Sequence, residues 1–167
     1  MPPGRSGTRP ASSPEARGLV KIDGRYVVHA PRTAVWRLLN DPAVLARIIP
    51  GCERLDPAGE NRYTVLVKAG VGAIKGSFKG SVAIDSIVPP DSYVLTVEGS
   101  GPGGFIKGRG HISLADEGPD TAVSVDGDAQ VGGLIASVGQ RLLGSGARVM
   151  MGEFFQKLER EALSLKG

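Results

Sequence analysis

The sequence predicts an α+β fold: a strongly curved antiparallel β-sheet wrapped around a long C-terminal helix, with two short helices after the first strand. Three observations predict it. Apolar residues recur with period two through most of residues 53–131. The turn signals between those runs are too close together to hold crossover helices, so the strands form an antiparallel meander. After Gly132-Gly133 the apolar spacing changes to about 3.6 and stays there to about Leu165.

Residues 1–17 are rich in Pro, Gly, Ser and Arg. They bury too little to offset ordering entropy and read as a disordered basic tail, with 18–167 as a single domain. Order begins near Leu19. Ile22, Tyr26, Val28 and Ala30 then alternate with Lys21, Arg25, Val27 and His29, which is a strand, and Pro31 stops it. A short helix carries Val35, Trp36, Leu38 and Leu39. Asn40-Asp41-Pro42 breaks it and opens a second one, with Asp41 as N-cap and Pro42 in the first helical position. Val44, Leu45, Ile48 and Ile49 form its apolar side, and Pro50-Gly51 ends it.

Five strands follow, each with a readable inner face. Tyr63, Val65, Val67 and Ala69 define the first, then Phe78, Gly80, Val82 and Ile84, then Tyr93, Leu95 and Val97. Gly108, Gly110, Ile112 and Leu114 define the fourth, and Val123, Val125, Gly127, Ala129 and Val131 the fifth. The long helix begins directly after Gly133 and carries Leu134, Val138, Leu142, Val149, Phe154, Leu158, Ala162 and Leu165.

Composition excludes several function classes. The chain has 167 residues, 41% of them hydrophobic and only 5% aromatic, which argues against stacking surfaces for single-stranded nucleic acid. Net charge is +3, but Arg5, Arg9 and Arg17 against Glu15 place most of it in the tail, so no nucleic-acid partner is expected. One cysteine, Cys52, makes no disulfide framework and leans toward a cytoplasmic setting. No apolar run is long enough to span a membrane. His29 and His111 have no His or Cys at ligand spacing, so no metal site is expected. Cys52 near Glu53 lacks a visible base, and no catalytic residue is assigned. The loop "GPGGFIKG" precedes a strand, whereas a phosphate cradle follows a strand and opens a helix. Lys68, Lys75, Lys79, Lys107 and Arg109 read first as an ordinary solvated face, and second as a basic patch for anionic headgroups.

The unusual feature is glycine on the inner faces: Gly80, Gly108, Gly110 and Gly127, joined by Gly139 and Gly146 in the predicted helix, where each costs roughly 0.5–1 kcal/mol relative to Ala. Two explanations compete. One is sheet curvature and close backbone packing. The other is a cavity between sheet and helix, and an empty apolar cavity is destabilising by roughly 24 cal/mol per Å³ unless something fills it. Spacing alone leaves both open and leans slightly to curvature. The lining expected for a cavity is Trp36, Leu45, Val67, Phe78, Val82, Tyr93, Leu95, Phe105, Val125, Val138, Leu142 and Phe154. For Trp36 core packing is the preferred role, with the two short helices as a pocket mouth.

The segments "HAPRTAVWRLLNDPAVLARIIPGCE" (29–53), "VGAIKGSFKG" (71–80), "GSGPGGFIKGRG" (99–110) and "VGGLIASVGQRLLGSGARVMMGEFFQKL" (131–158) together resemble the carbon monoxide dehydrogenase G-subunit (CoxG) family, of the START-like helix-grip (SRPBCC) superfamily. The resemblance covers about residues 19–160. It implies a helix-grip fold with a hydrophobic tunnel, no cofactor, and a non-enzymatic role beside molybdenum hydroxylases. The implied roles are carriage of an apolar lipid-like ligand such as a quinone, enzyme assembly, or membrane recruitment. It also implies hydroxylase subunits as partners. The chain ends directly after the helix, so reversible contact at the inner face of the membrane is expected rather than a stable anchor. A polyketide-cyclase-type enzyme shares the superfold and is the third reading; it needs buried titratable groups facing the interior, and the inner faces show almost none.

Overall fold

The computed structural model describes residues 19–71 and 74–166. The expected tail, residues 1–17, lies outside them, as does part of the glycine turn at 70–72. Strand β1 (Leu19–Val28) leads into α1 (Arg32–Leu39) and α2 (Pro42–Ile48). Six strands follow: β2 (Cys52–Pro57), β3 (Arg62–Val71), β4 (Ile74–Val88), β5 (Ser92–Gly101), β6 (Gly104–Glu117) and β7 (Asp120–Gly133). A single 3-10 stretch (Leu134–Val138) precedes the long helix α3 (Gln140–Lys166). The seven strands form one antiparallel sheet in the order β1-β7-β6-β5-β4-β3-β2.

The expected α+β architecture is the observed one. Asp41 caps α2 by accepting from the Ala43 N–H at 2.9 Å, with Pro42 in the first turn where its missing N–H costs nothing. The five predicted inner faces hold, and the strands run longer than their apolar cores because the tight turns let backbone pairing continue to the hairpin ends.

Two expectations are corrected. Strand β2 is an addition to the predicted set: Cys52–Pro57 alternates poorly, being an edge strand with a register shift between Cys52 and Arg54. The long helix starts later than predicted. Leu134–Val138 is 3-10, and Gly139 takes φ +102°, which interrupts the chain before α3 begins at Gln140. Of the two inward glycines expected in that helix, Gly139 is therefore the interruption and Gly146 is helical.

Buried side chains form two clusters. The larger joins Val28, Val35, Leu38, Leu39, Val44, Ile48, Ile84, Tyr93, Ile112, Leu114, Val123, Phe155, Leu158 and Ala162, so it ties α1, α2 and the C-terminal half of α3 to one half of the sheet. The smaller joins Val20, Val131, Ile135 and Leu143 near the start of α3. Polar clamps flank the larger cluster. Arg47 of α2 grips Glu161 of α3 with two hydrogen bonds, 2.7 and 3.0 Å, and this pairing holds the Glu161 carboxyl below its ordinary range. The His29 backbone N–H donates to Glu159 at 2.8 Å. The buried Thr121 hydroxyl donates to the Ala30 carbonyl at 2.8 Å.

Candidate functional site

Between the two clusters lies a band of the inner sheet surface that neither one fully covers. Its apolar side chains, Val67, Val82, Leu95, Val97 and Val125, are half-buried. Glycine occupies the positions between them. Gly80 opposes Gly99, Gly108 opposes Val97 and Ala129, and Gly110 opposes Leu95 and Gly127. Five inward glycines thus cross four neighbouring strands.

These glycines have two different reasons to exist. A Cβ on Gly80 would lie 2.5 Å from the Glu98 carbonyl oxygen, and one on Gly127 would lie 2.4 Å from the Arg109 carbonyl oxygen and 2.7 Å from Gly110 Cα. There the strand backbones approach too closely for any side chain, which is the curvature explanation. At Gly110 the nearest atoms would be 3.8 Å away, at Gly99 3.5 Å, and at Gly108 3.4 Å. Those positions accept a Cβ at ordinary contact, so close backbone approach does not account for their missing side chains. Curvature thus accounts for Gly80 and Gly127 and not for Gly99, Gly108 and Gly110.

The predicted lining residues divide accordingly. Tyr93 is in the larger cluster, and Trp36, Leu45, Leu95, Val125 and Phe154 pack against it. Phe78 and Val138 pack against the smaller one. Val67 and Val82 lie in the band between.

Three assignments are corrected. Phe105 is 43% exposed and on the outer face, because period two puts it opposite to Ile106, Gly108 and Gly110. Its ring covers its register partner Gly132. Leu142 is 51% exposed, because the interruption at Gly139 rotates the helix so that Leu143 turns inward instead. Gly139 makes a bend rather than a gap in a helix face. On α3, the half-buried Gly144, Ala147 and Met151 share the stripe of Leu143, Phe155 and Leu158. Sequence reasoning missed them; taking the phase from Leu143 would have found them.

Two open grooves lie on the outer face of the sheet. One, of about 400 Å³, is lined by Lys79, Ser81, Glu98, Ser100, Phe105 and Lys107. The other, about 360 Å³, is lined by Lys21, Val94, Arg109, His111, Asp126 and Asp128. The five basic residues of the expected patch do not act alone here. Lys107 stands opposite Glu98, and Arg109 opposite Asp128. The ordinary solvated face is the better reading.

Chemistry in the interior is sparse. Burial pushes the Cys52 thiol up, so the thiolate is disfavoured. Among the described residues no group of three or more His, Cys, Asp or Glu could hold a metal ion, and no helix is long and apolar enough to cross a membrane. Burial also pushes the Tyr93 phenol well above its ordinary value. The raised value favours the folded state only while the phenol stays protonated. That contribution is complete below about pH 10 and is lost as pH rises beyond it, because the unfolded chain ionises first. Thermal unfolding followed from neutral pH upward is expected to show a steeper alkaline fall in Tm for the native chain than for Tyr93→Phe. Parallel curves would refute this.

Comparisons with known proteins bear on the fold and the family. No curated protein matches the sequence. A conserved protein from Geobacillus kaustophilus has a similar structure, at 32% identity and a TM-score of 0.83, over 87% of this chain and 96% of that one. A START superfamily protein from Mycobacterium smegmatis is similar at 15% identity and a TM-score of 0.68, over 87% and 98%. The Zhui aromatase/cyclase from Streptomyces sp. R1128 is similar at 14% and 0.63, over 86% and 93%. These last two likenesses show a shared START-like fold. The sequence model of the carbon monoxide dehydrogenase G-subunit (CoxG) family matches residues 24–163, and the chain belongs to that family.

Proposed function

We propose that this protein is a non-enzymatic carrier of an apolar, lipid-like molecule, with a quinone as the first candidate, acting beside a molybdenum hydroxylase such as carbon monoxide dehydrogenase. The observation that carries the reading is the half-buried band of Val67, Val82, Leu95, Val97 and Val125, with inward positions at Gly108 and Gly110 that have room for a side chain and carry none. An apolar guest there removes exposed hydrocarbon from water, at roughly 25 cal/mol per Å². Family membership supports the link to the hydroxylase, and quinones are natural electron partners of a redox enzyme.

The test is solvent extraction of the purified protein with mass spectrometry of the extract, plus thermal unfolding with an added short-chain ubiquinone. An extracted lipid-like molecule or a rise in Tm supports carriage; the absence of both rejects it.

A second reading is an assembly or membrane-recruitment factor. The exposed Leu142, Val149 and Met150 on α3, next to Arg141 and Arg148, favour a contact surface there. Pull-down against the hydroxylase subunits separates the two. The cyclase-type enzyme reading has less support: among the described residues the deeply buried inner-face titratable group is Tyr93, which burial keeps protonated and unfit as a base.

A further inference from the structure

The larger core cluster holds two buried hydroxyls, and they differ. Thr121, fully buried, donates to Ala30. Tyr93, only 5% exposed, makes no hydrogen bond to any described residue. Its ring has a clear packing role, meeting Trp36 edge-on at 5.5 Å between centroids. Phenylalanine would fill that role equally well. The oxygen is thus an added cost: a buried donor without a partner forfeits its hydration and gains nothing in return. Tyr93 also precedes Leu95 and Val97 on the inner face of β5, so it stands at the edge of the uncovered band.

We infer that the Tyr93 hydroxyl is the polar anchor of the interior site and donates a hydrogen bond to an acceptor oxygen on the bound molecule. The ligand class is then an apolar body carrying a carbonyl oxygen, in preference to a plain hydrocarbon chain. This rests on the carrier reading and adds a specificity-determining residue to it. Because the group stays protonated across the physiological range, it acts as a donor, and a carbonyl oxygen is its natural complement. Discrimination arises because a ligand without the acceptor leaves the buried donor unpaired.

The experiment compares the native chain with Tyr93→Phe, using two probes: a short-chain ubiquinone, and an alkylbenzene with the same side chain and no ring oxygens. Affinities come from thermal-shift titration, and for the quinone also from quenching of Trp36, the one tryptophan in the chain. The expected result is a roughly 5- to 10-fold loss of quinone affinity in Tyr93→Phe, with alkylbenzene affinity and the ligand-free Tm unchanged or raised. Equal loss for both probes, or no change for the quinone, overturns the anchor. So does a fall in the ligand-free Tm with equal probe losses, which would mean that the hydroxyl serves the fold through a water. If neither probe binds the native chain, the carrier reading itself has failed.

Discussion

Gly127→Val is expected to destabilise the protein by about 3 kcal/mol, whereas Gly110→Leu leaves stability within about 1 kcal/mol and abolishes binding of an apolar guest. Both residues face inward, and they are register partners on adjacent strands. The difference is clearance. A Cβ on Gly127 meets the Arg109 carbonyl oxygen at 2.4 Å, and that atom is backbone, so β6 and β7 must separate. A Cβ on Gly110 meets nothing nearer than 3.8 Å. Removing a strand glycine also recovers roughly 0.5–1 kcal/mol of conformational entropy, which offsets small steric costs. The leucine side chain then occupies the band itself. Urea denaturation of the two variants, with quinone titration of Gly110→Leu, checks both halves. Equal stability losses would show that curvature alone explains both glycines, and undiminished quinone binding in Gly110→Leu would place the guest elsewhere.

Leu158→Ala is expected to cost about 3–4 kcal/mol, a fall in Tm of roughly 6–16 °C for a chain of this size. Leu158 is fully buried in the cluster that joins α1, α2 and one half of the sheet to α3. Its removal leaves a cavity where elements from both ends of the sequence converge, and the sheet cannot collapse to fill it. Leu142→Ala, on the same helix, should change stability by about 0.5 kcal/mol or less, because that side chain is already half in water. Calorimetry of the pair also tests the helix phase. Similar losses would mean that α3 is rotated about its axis, with Leu142 turned into the core.

Leu142 shows why sequence periodicity misplaces some residues. It fits a 3.6-residue line drawn from Leu134 and Val138, but that line crosses Gly139, whose positive φ breaks the helix. Phe105 shows a second cause: an aromatic side chain beside inward glycines reads as lining, yet it points outward to cover Gly132 across the strand pair. Strand β2 escapes the alternation test because an edge strand need bury neither face well, so Cys52–Pro57 carries little of it.

The coarse order of strand, two short helices, strand run and long helix, the inner face of each predicted strand and the Asp41 cap were legible in the sequence, because each depends on parity or on a local hydrogen bond within a few residues. The two roles of glycine were not. Whether an absent side chain marks a close approach, as at Gly127, or a position where a Cβ would fit, as at Gly110, depends on how near the neighbouring strand's backbone comes. Only the assembled sheet sets that distance. The same holds for the Tyr93 hydroxyl: sequence parity turns it inward, but the full set of neighbours decides whether a buried donor finds a partner.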